Sequence, residues 1–165
     1  MSLPWKYATL CLIRRNGKTL FIDYRDYPHP IHHGFYAPPG GKIEPGENPE
    51  ETTKREIEEE THIFLGTLAY RGVIRFDNER RTLKGKPFRY NFQVYIYECS
   101  DFDDSHAQPE EGRLFWAEDS KVLTLPLHEG DRELWKWLEQ YQEIEGTVVE
   151  VGEQLESATL SRTVR

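Results

Sequence analysis

The run Arg55-Glu56-Ile57-Glu58-Glu59-Glu60 carries the densest potential chemistry in the chain. On a helix, positions 56, 59 and 60 share one face, because residues three and four apart are neighbours. That face would hold three carboxylates within a single turn. As a like-charge i,i+4 pair, Glu56 and Glu60 would destabilise an isolated helix by roughly 0.2–0.5 kcal/mol. Their place in its C-terminal half also sets them against the helix dipole. Two local penalties stacked together ask for compensation. A hard divalent cation is the simplest, since Mg²⁺ takes oxygen ligands and keeps waters for substrate phosphates. The plain alternative is a solvated face laced by pairs such as Glu51 with Arg55 and Arg55 with Glu59. Pro38-Pro39-Gly40-Gly41, just upstream, tips the balance. A rigid pair before two glycines brings backbone close to the helix and frees the Gly40 carbonyl for a metal.

The elements that must position these groups can be read around them. Asn48 is a good N-cap, Pro49 suits the first helical position, and Glu51 completes a capping-box spacing, so a helix is expected from there to about Thr61. Upstream, Tyr7 to Ile13 is nearly unbroken apolar and reads as a strand covered on both faces. Asn16-Gly17 signals a hairpin turn, with Thr19 to Tyr24 returning. Asp26 to Gly41 is rich in Pro, His and Gly and reads as loop. Strands are expected at Leu68 to Phe76 and Phe88 to Cys99, joined by a basic loop, and a short one at Leu114 to Ala117. Asp131 to Tyr141 reads as a second amphipathic helix with Asp131 as its N-cap. Residues 147–160 would close the chain as a hairpin about Gly152-Glu153. Strands alternating with two helices imply an α/β (α+β) fold, a mixed β-sheet between helical layers, in one domain over residues 1–165.

Gly41, five residues, Glu47, seven residues, then Arg55-Glu56-Ile57-x-Glu59-Glu60-x-x-Ile63 resembles the Nudix box over residues 41–63. Weaker resemblance to MutT-like and 8-oxo-dGTP diphosphatase members extends from about Tyr7 to Leu138. One defined position departs: His62 stands where the family has Gly. A left-handed conformation is common just past a helix, and a His there should cost about 1 kcal/mol. The resemblance implies the Nudix fold, and Mg²⁺ (or Mn²⁺) held by Glu56, Glu59, Glu60 and the Gly40 carbonyl. Arg55 would orient a carboxylate, with Glu47 as partner. The general base would be Glu56 or a loop carboxylate, for which Glu111 is the candidate as base or further metal ligand. Tyr24, Phe35 and Tyr36 are candidates for stacking on a base, against the commoner fate of core aromatics. Asp131 lies in a segment resembling the one that supplies acidic base-reading residues. The family's Asn before the glycine loop has no counterpart, with Ala37 near its place.

The activity so implied is hydrolysis of a diphosphate linkage, foremost in a nucleoside triphosphate, including 8-oxo-dGTP-like ones, to monophosphate and pyrophosphate. Cleavage of ADP-ribose or another nucleotide sugar is the alternative, although Asn78-Glu79 occupies the region where those members often carry a proline. An isopentenyl diphosphate isomerase would need a catalytic Cys, and neither Cys11 nor Cys99 lies in a loop that suggests one. A non-catalytic nucleotide sensor is the remaining reading, but degenerate boxes typically lose carboxylates and this one keeps them.

Bulk properties agree. The 165 residues carry a formal net charge of −8, which disfavours binding a nucleic-acid polymer through its backbone. A small phosphate ester remains accessible through a bound cation. The isolated cysteines read as small buried thiols in a reducing compartment. With no apolar leader and no run of ~20 apolar residues, the expectation is a cytoplasmic protein without membrane contact. Such an assignment leaves room for a homodimer. His32-His33 and the run Arg80-Arg81, Lys84, Lys86, Arg89 could meet phosphates, with solvated loops the blander reading of the basic run.

Overall fold

The structure is a computed structural model describing residues 2–165. The chain opens with strand β1 (Trp5–Arg15), the Asn16-Gly17 turn, and β2 (Lys18–Asp23). Both turn residues have positive φ, 55° and 72°, as a two-residue turn matching the strands' twist requires. Short strands β3 (Tyr36–Ala37) and β4 (Gly40–Lys42) lead into α1 (Pro49–Thr61). Then come β5 (Phe64–Leu65), β6 (Ala69–Leu83), β7 (Lys86–Pro87), β8 (Asn91–Cys99), β9 (Phe102–Asp103) and β10 (Arg113–Glu118). A 3-10 turn at Asp119–Thr124 precedes α2 (Glu129–Gln140), and β11 (Glu143–Gly152) and β12 (Gln154–Val164) end the chain.

One mixed sheet organises the molecule, in the order β10-β2-β1-β8-β6-β11-β12. The pairs β1–β8 and β6–β11 run parallel and the others antiparallel. Alternation along β1 explains its unbroken apolar run. Cys11 and Ile13 pack with Leu20, Ile63 and Ile57 of α1, while Leu10 and Leu12 pack with Leu134, Trp135 and Leu138 of α2. Each helix therefore covers one face of the sheet. The last turn of α2 holds no basic residue. Arg71 from β6 supplies the missing donors to the carbonyls of Leu138, Tyr141 and Gln142 at 2.6–2.9 Å.

Several expectations need correction. The segment after Phe76 is not a basic loop: β6 continues to Leu83 and closes on β7 as a hairpin. Its charged residues alternate without an apolar signal, so the strand is hidden from periodicity. Asp131 is not an N-cap either. His128 holds that position, without a side-chain bond, and Asp131 lies in the first turn of α2. The closing hairpin forms over a longer span than 147–160.

Candidate active site

Helix α1 begins as its capping residues demand. Asn48 Oδ1 accepts from the Glu51 amide at 2.9 Å, and Glu51 Oε1 takes a bond from Asn48 Nδ2. At the other end His62 adopts φ 55°, ψ 29°, and its amide donates to Glu58 O. The side chain that replaces the box glycine therefore sits in the left-handed region. Its ring meets Glu110 at 2.5 Å, and the amides of Gln108 and Glu110 donate to the last carbonyls of the helix, those of Thr61 and Glu60. The loop carrying Glu111 is thus fastened to the end of α1.

Arg55 is the anchor of the acidic face. Its Nε and NH2 donate to both Glu47 oxygens, at 2.6 and 2.8 Å, and NH1 reaches Glu56 Oε1 at 3.0 Å and Glu59 Oε2 at 3.2 Å. This charge-assisted fork holds the Glu47 carboxyl at about 2, well below its ordinary range. Glu56 and Glu60 behave in the opposite way. Burial pushes both up, and the neighbouring Glu56 helps raise Glu60 to about 8. The only donor to the Glu60 carboxylate among the described residues is the Gly40 amide, at 3.3 Å. Backbone approach here needs glycine. A Cβ on Gly40 would run into Thr9 O, and one on Gly41 would overlap the Glu56 carboxylate.

These groups fit a hard cation: oxygen ligands only, half-buried, too negative, and short of hydrogen-bond donors. Among the described residues, however, no three acidic, His or Cys groups converge as a preformed cage. Such an arrangement suits Mg²⁺, which takes one or two carboxylates and fills its shell with water and substrate phosphate. Glu59 stands apart, its side chain 60% exposed and turned to Arg55. Glu111 is half-exposed and 3.9 Å from His29, yet close enough for its charge to act on Glu60 and Tyr24.

Gly40, Gly41 and Glu60 form one end of a cavity of about 450 Å³. That volume suits a nucleotide-sized ligand. Its floor crosses the sheet through Leu10, Val94 and Phe76, and Arg81, Asp131 and Glu150 line its other end. Arg81 Nε lies 2.7 Å from Glu150 Oε2 in an ion pair, with both side chains nearly enclosed (11% and 5% exposed). The Phe88 ring lies 4.2 Å from the guanidinium. Among the described residues the remaining amino groups of Arg81 reach only Asn78 Oδ1 and His128 Nδ1, each at 3.5 Å, the outer limit of a hydrogen bond. His128 Nε2 meets His32 Nδ1 at 3.2 Å; burial, then the charge of Arg81, holds the His128 ring neutral, at about 3. Asp131 makes no side-chain hydrogen bond among the described residues; burial lifts its carboxyl to about 6, although Arg81 pulls it down. Thr9, also on the cavity wall, has a buried hydroxyl with no partner among the described residues.

The aromatic candidates separate. Tyr24 lines the cavity, packed against His29 and His32 at 4.9 and 5.2 Å. Phe35 stacks on His128 at 4.0 Å, outside the lining. Tyr36 does not reach the cavity. It is a core residue beneath Phe115 and Arg25, because β3 pairs with β2 and directs it there. His33 is tied to Tyr27 O. Sequence reasoning placed Arg81 in a basic loop that could meet phosphates and missed Glu150 and His128, which line the cavity with it. Only Glu150 left a trace, a charge in the inward register of β11, where Ile144, Gly146 and Val148 are the other buried positions.

A mixed sheet between two helices, with an acidic box at the mouth of a nucleotide-sized cavity, defines a hydrolase of phosphoric anhydrides. The family model for the NUDIX domain matches residues 4–140, and the chain belongs to the Nudix family. It is similar to an uncharacterized Nudix hydrolase, YvcI, of Bacillus subtilis, at 25% identity over 75% of this chain and 73% of that one. It is also similar to an oxidized purine nucleoside triphosphate hydrolase of Danio rerio, at 27% identity over 71% and 69%. Among solved structures, the MutT protein of Bacillus halodurans superposes with a TM-score of 0.77 at 24% identity, covering 94% of this chain and 97% of that one. The E. coli ORF135 protein superposes with 0.64 at 23% identity, covering 84% and 91%. Among the described residues no helix is long and apolar enough to cross a membrane, and Cys11 and Cys99 are buried free thiols.

Proposed function

We propose that the chain hydrolyses a nucleoside triphosphate, including oxidised forms, to monophosphate and pyrophosphate with Mg²⁺. The supporting observation is the cavity itself, whose lining has Glu60 beside the Gly40-Gly41 bend and Arg81, Asp131 and Glu150 further along it. Likeness to an oxidized purine nucleoside triphosphate hydrolase points the same way.

Glu56, Glu60 and the Gly40 carbonyl would hold the ion, with Glu59 and Glu111 as outer members. Mg²⁺ bound there supplies Lewis-acid polarisation of phosphoryl oxygens and brings the acidity of water toward neutral pH. Arg55 fixes Glu56 through Oε1, leaving Oε2 toward the Gly41 bend to take a proton from attacking water. Lys42, on the cavity wall beside Gly41, meets the phosphate chain. Tyr24 and the Phe76 edge border the nucleoside.

The test is product release from a panel of canonical and oxidised nucleoside triphosphates, ADP-ribose and dinucleoside polyphosphates, with and without Mg²⁺. Pyrophosphate released from a triphosphate only with the metal present is the expected result. Cleavage confined to ADP-ribose would move the assignment to nucleotide sugars, and binding without turnover would make the chain a sensor.

A further inference from the structure

His29 lies on the cavity wall, in the segment between β2 and β3, where neither helix nor strand holds a side chain in place. Its ring is nevertheless held firmly. Nδ1 accepts from the Ile31 amide at 3.1 Å and from the His32 amide at 3.0 Å. The ring stacks on His32 at 4.6 Å, and Tyr24 packs against it at 4.9 Å. A nitrogen that accepts from two amides carries no proton, so the ring proton sits on Nε2. Among the described residues this Nε2–H has no hydrogen-bond partner. The carboxylate facing it is Glu111, with Oε2 3.9 Å away.

Glu111 has the opposite character, a fixed main chain and a loose side chain. The Gln108 and Glu110 amides fasten its loop to the last carbonyls of α1. Just past it, Gly112 takes φ 65° and runs so close to Asp23 O that a Cβ would overlap it. The backbone is thus pinned to α1 on one side and to β2 on the other. The side chain is half-exposed and makes no hydrogen bond among the described residues. Only its rotamer decides where the charge points, and fixing that rotamer costs entropy. A movement of about 1 Å would bring the carboxylate to within charge-assisted hydrogen-bond distance of Nε2.

We infer that His29 is a positioning residue: its Nε2–H holds the Glu111 carboxylate turned toward Glu60 and the cation. This rests on the reading of the α1 end as a metal–phosphate site. The charge of Glu111 already acts on Glu60 and Tyr24, so it is within range of the group it would join. A neutral N–H suits the task. It orients a carboxylate without cancelling the negative charge that a cation needs, as a Lys or Arg there would. A direct bond from the same N–H to a substrate phosphate is the competing use, and it predicts a loss independent of Glu111.

The test uses the full chain, Mg²⁺ and the nucleotide it cleaves fastest. His29→Asn keeps an oxygen where Nδ1 accepts the two amides but loses the reach to Glu111. His29→Gln keeps an N–H near the Nε2 position but loses the near acceptor. The Asn variant should lower kcat about 10-fold with KM within about twofold, and the Gln variant should keep at least about a third of the wild-type kcat. In a Glu111→Ala background, His29→Asn should cost under about twofold more, because residues acting as one unit are not additive. The reverse order of the two variants would make His29 a loop brace, and an undiminished loss in the Glu111→Ala background would make it a substrate contact. Either result, or a normal rate for Glu111→Ala alone, overturns the inference and leaves the proposed activity standing. A second readout needs no turnover: the imidazole ¹⁵N spectrum of the metal-free chain. His29 should show a bare Nδ1 and a protonated Nε2, and Glu111→Ala should shift that Nε2 more than the ring nitrogens of His32 or His128. The other tautomer, or an unmoved Nε2, overturns the inference whatever the chain hydrolyses. The expected spectrum with no turnover of any phosphoric anhydride would remove the proposed activity and keep the contact.

Discussion

The two ends of the cavity handle buried charge in opposite ways. At the α1 end, Glu56 and Glu60 are close to each other, the fork of Arg55 is largely spent on Glu47, and Glu60 has one weak donor among the described residues. At the β6–β11 end, Arg81 and Glu150 cancel and only Asp131 is left over. A site with excess negative charge and few donors selects a cation. A nearly balanced site with loose donors and a loose acceptor selects a neutral, polar, flat ligand. Under the proposed function, a metal–phosphate group and a base would occupy opposite ends of one cavity without competing for the same place.

The sharpest way to break this contrast is at the cation end. Glu60→Gln or Glu56→Gln should lower turnover by about 10²–10⁴-fold, and chelation of the metal should abolish it; near-normal rates in either variant would remove the cation from the scheme. Arg55→Lys, which loses the bidentate hold on Glu47, should cost about 10–100-fold, read as kcat with little change in KM.

At the base end, Asp131→Asn should lower kcat/KM for the preferred nucleotide by about 10–100-fold, mostly through KM. Under the proposed function, the carboxyl must be ionised to accept N–H groups of the base on both oxygens. Base preference should therefore fade as pH falls through about 6, the Asp131 value, and a flat profile would count against its role.

Stability offers a smaller signal. A carboxyl raised by burial binds its proton more tightly in the folded state, so it favours folding at low pH. For Glu60 that benefit should be lost as pH rises from about 4.5 to about 8. The Tm of metal-free protein should fall across that window, and Glu60→Gln should flatten the fall. Least of all, His62→Gly should change stability by under about 1 kcal/mol, since relief of left-handed strain is offset by a more flexible chain and the lost Glu110 contact. A larger shift in a denaturation series would mean that the loop clamp matters more than its exposure suggests.

Legibility from sequence follows the same division. The α1 end is written in contiguous residues: Asn48 and Pro49 start the helix, Thr61 ends it, and the acids sit at fixed spacing between. The hairpin at Asn16-Gly17 was equally plain. The other end gathers Arg81, Asp131 and Glu150 from three distant strands and helices, and no spacing connects them. Arg81 looked like one more charge in a basic loop because β6 beyond Phe76 lacks apolar alternation. Tyr36 looked like a stacking residue because an aromatic beside a glycine bend gives no hint of which face its short strand presents. Asp131 is a candidate in the sequence, but an acid at the start of a helix has two ordinary uses, and only the position of His128 rules out the capping one.

Strand β11 also carries an evolutionary implication. The counter-ion of Arg81 arrives on a terminal ribbon that shares no residue with the hydrolytic motif. Point changes or exchange of that ribbon could thus redirect which molecules enter while sparing the bond-breaking apparatus. Grafting it onto another scaffold of the same architecture offers an engineer a handle on selectivity that is independent of rate.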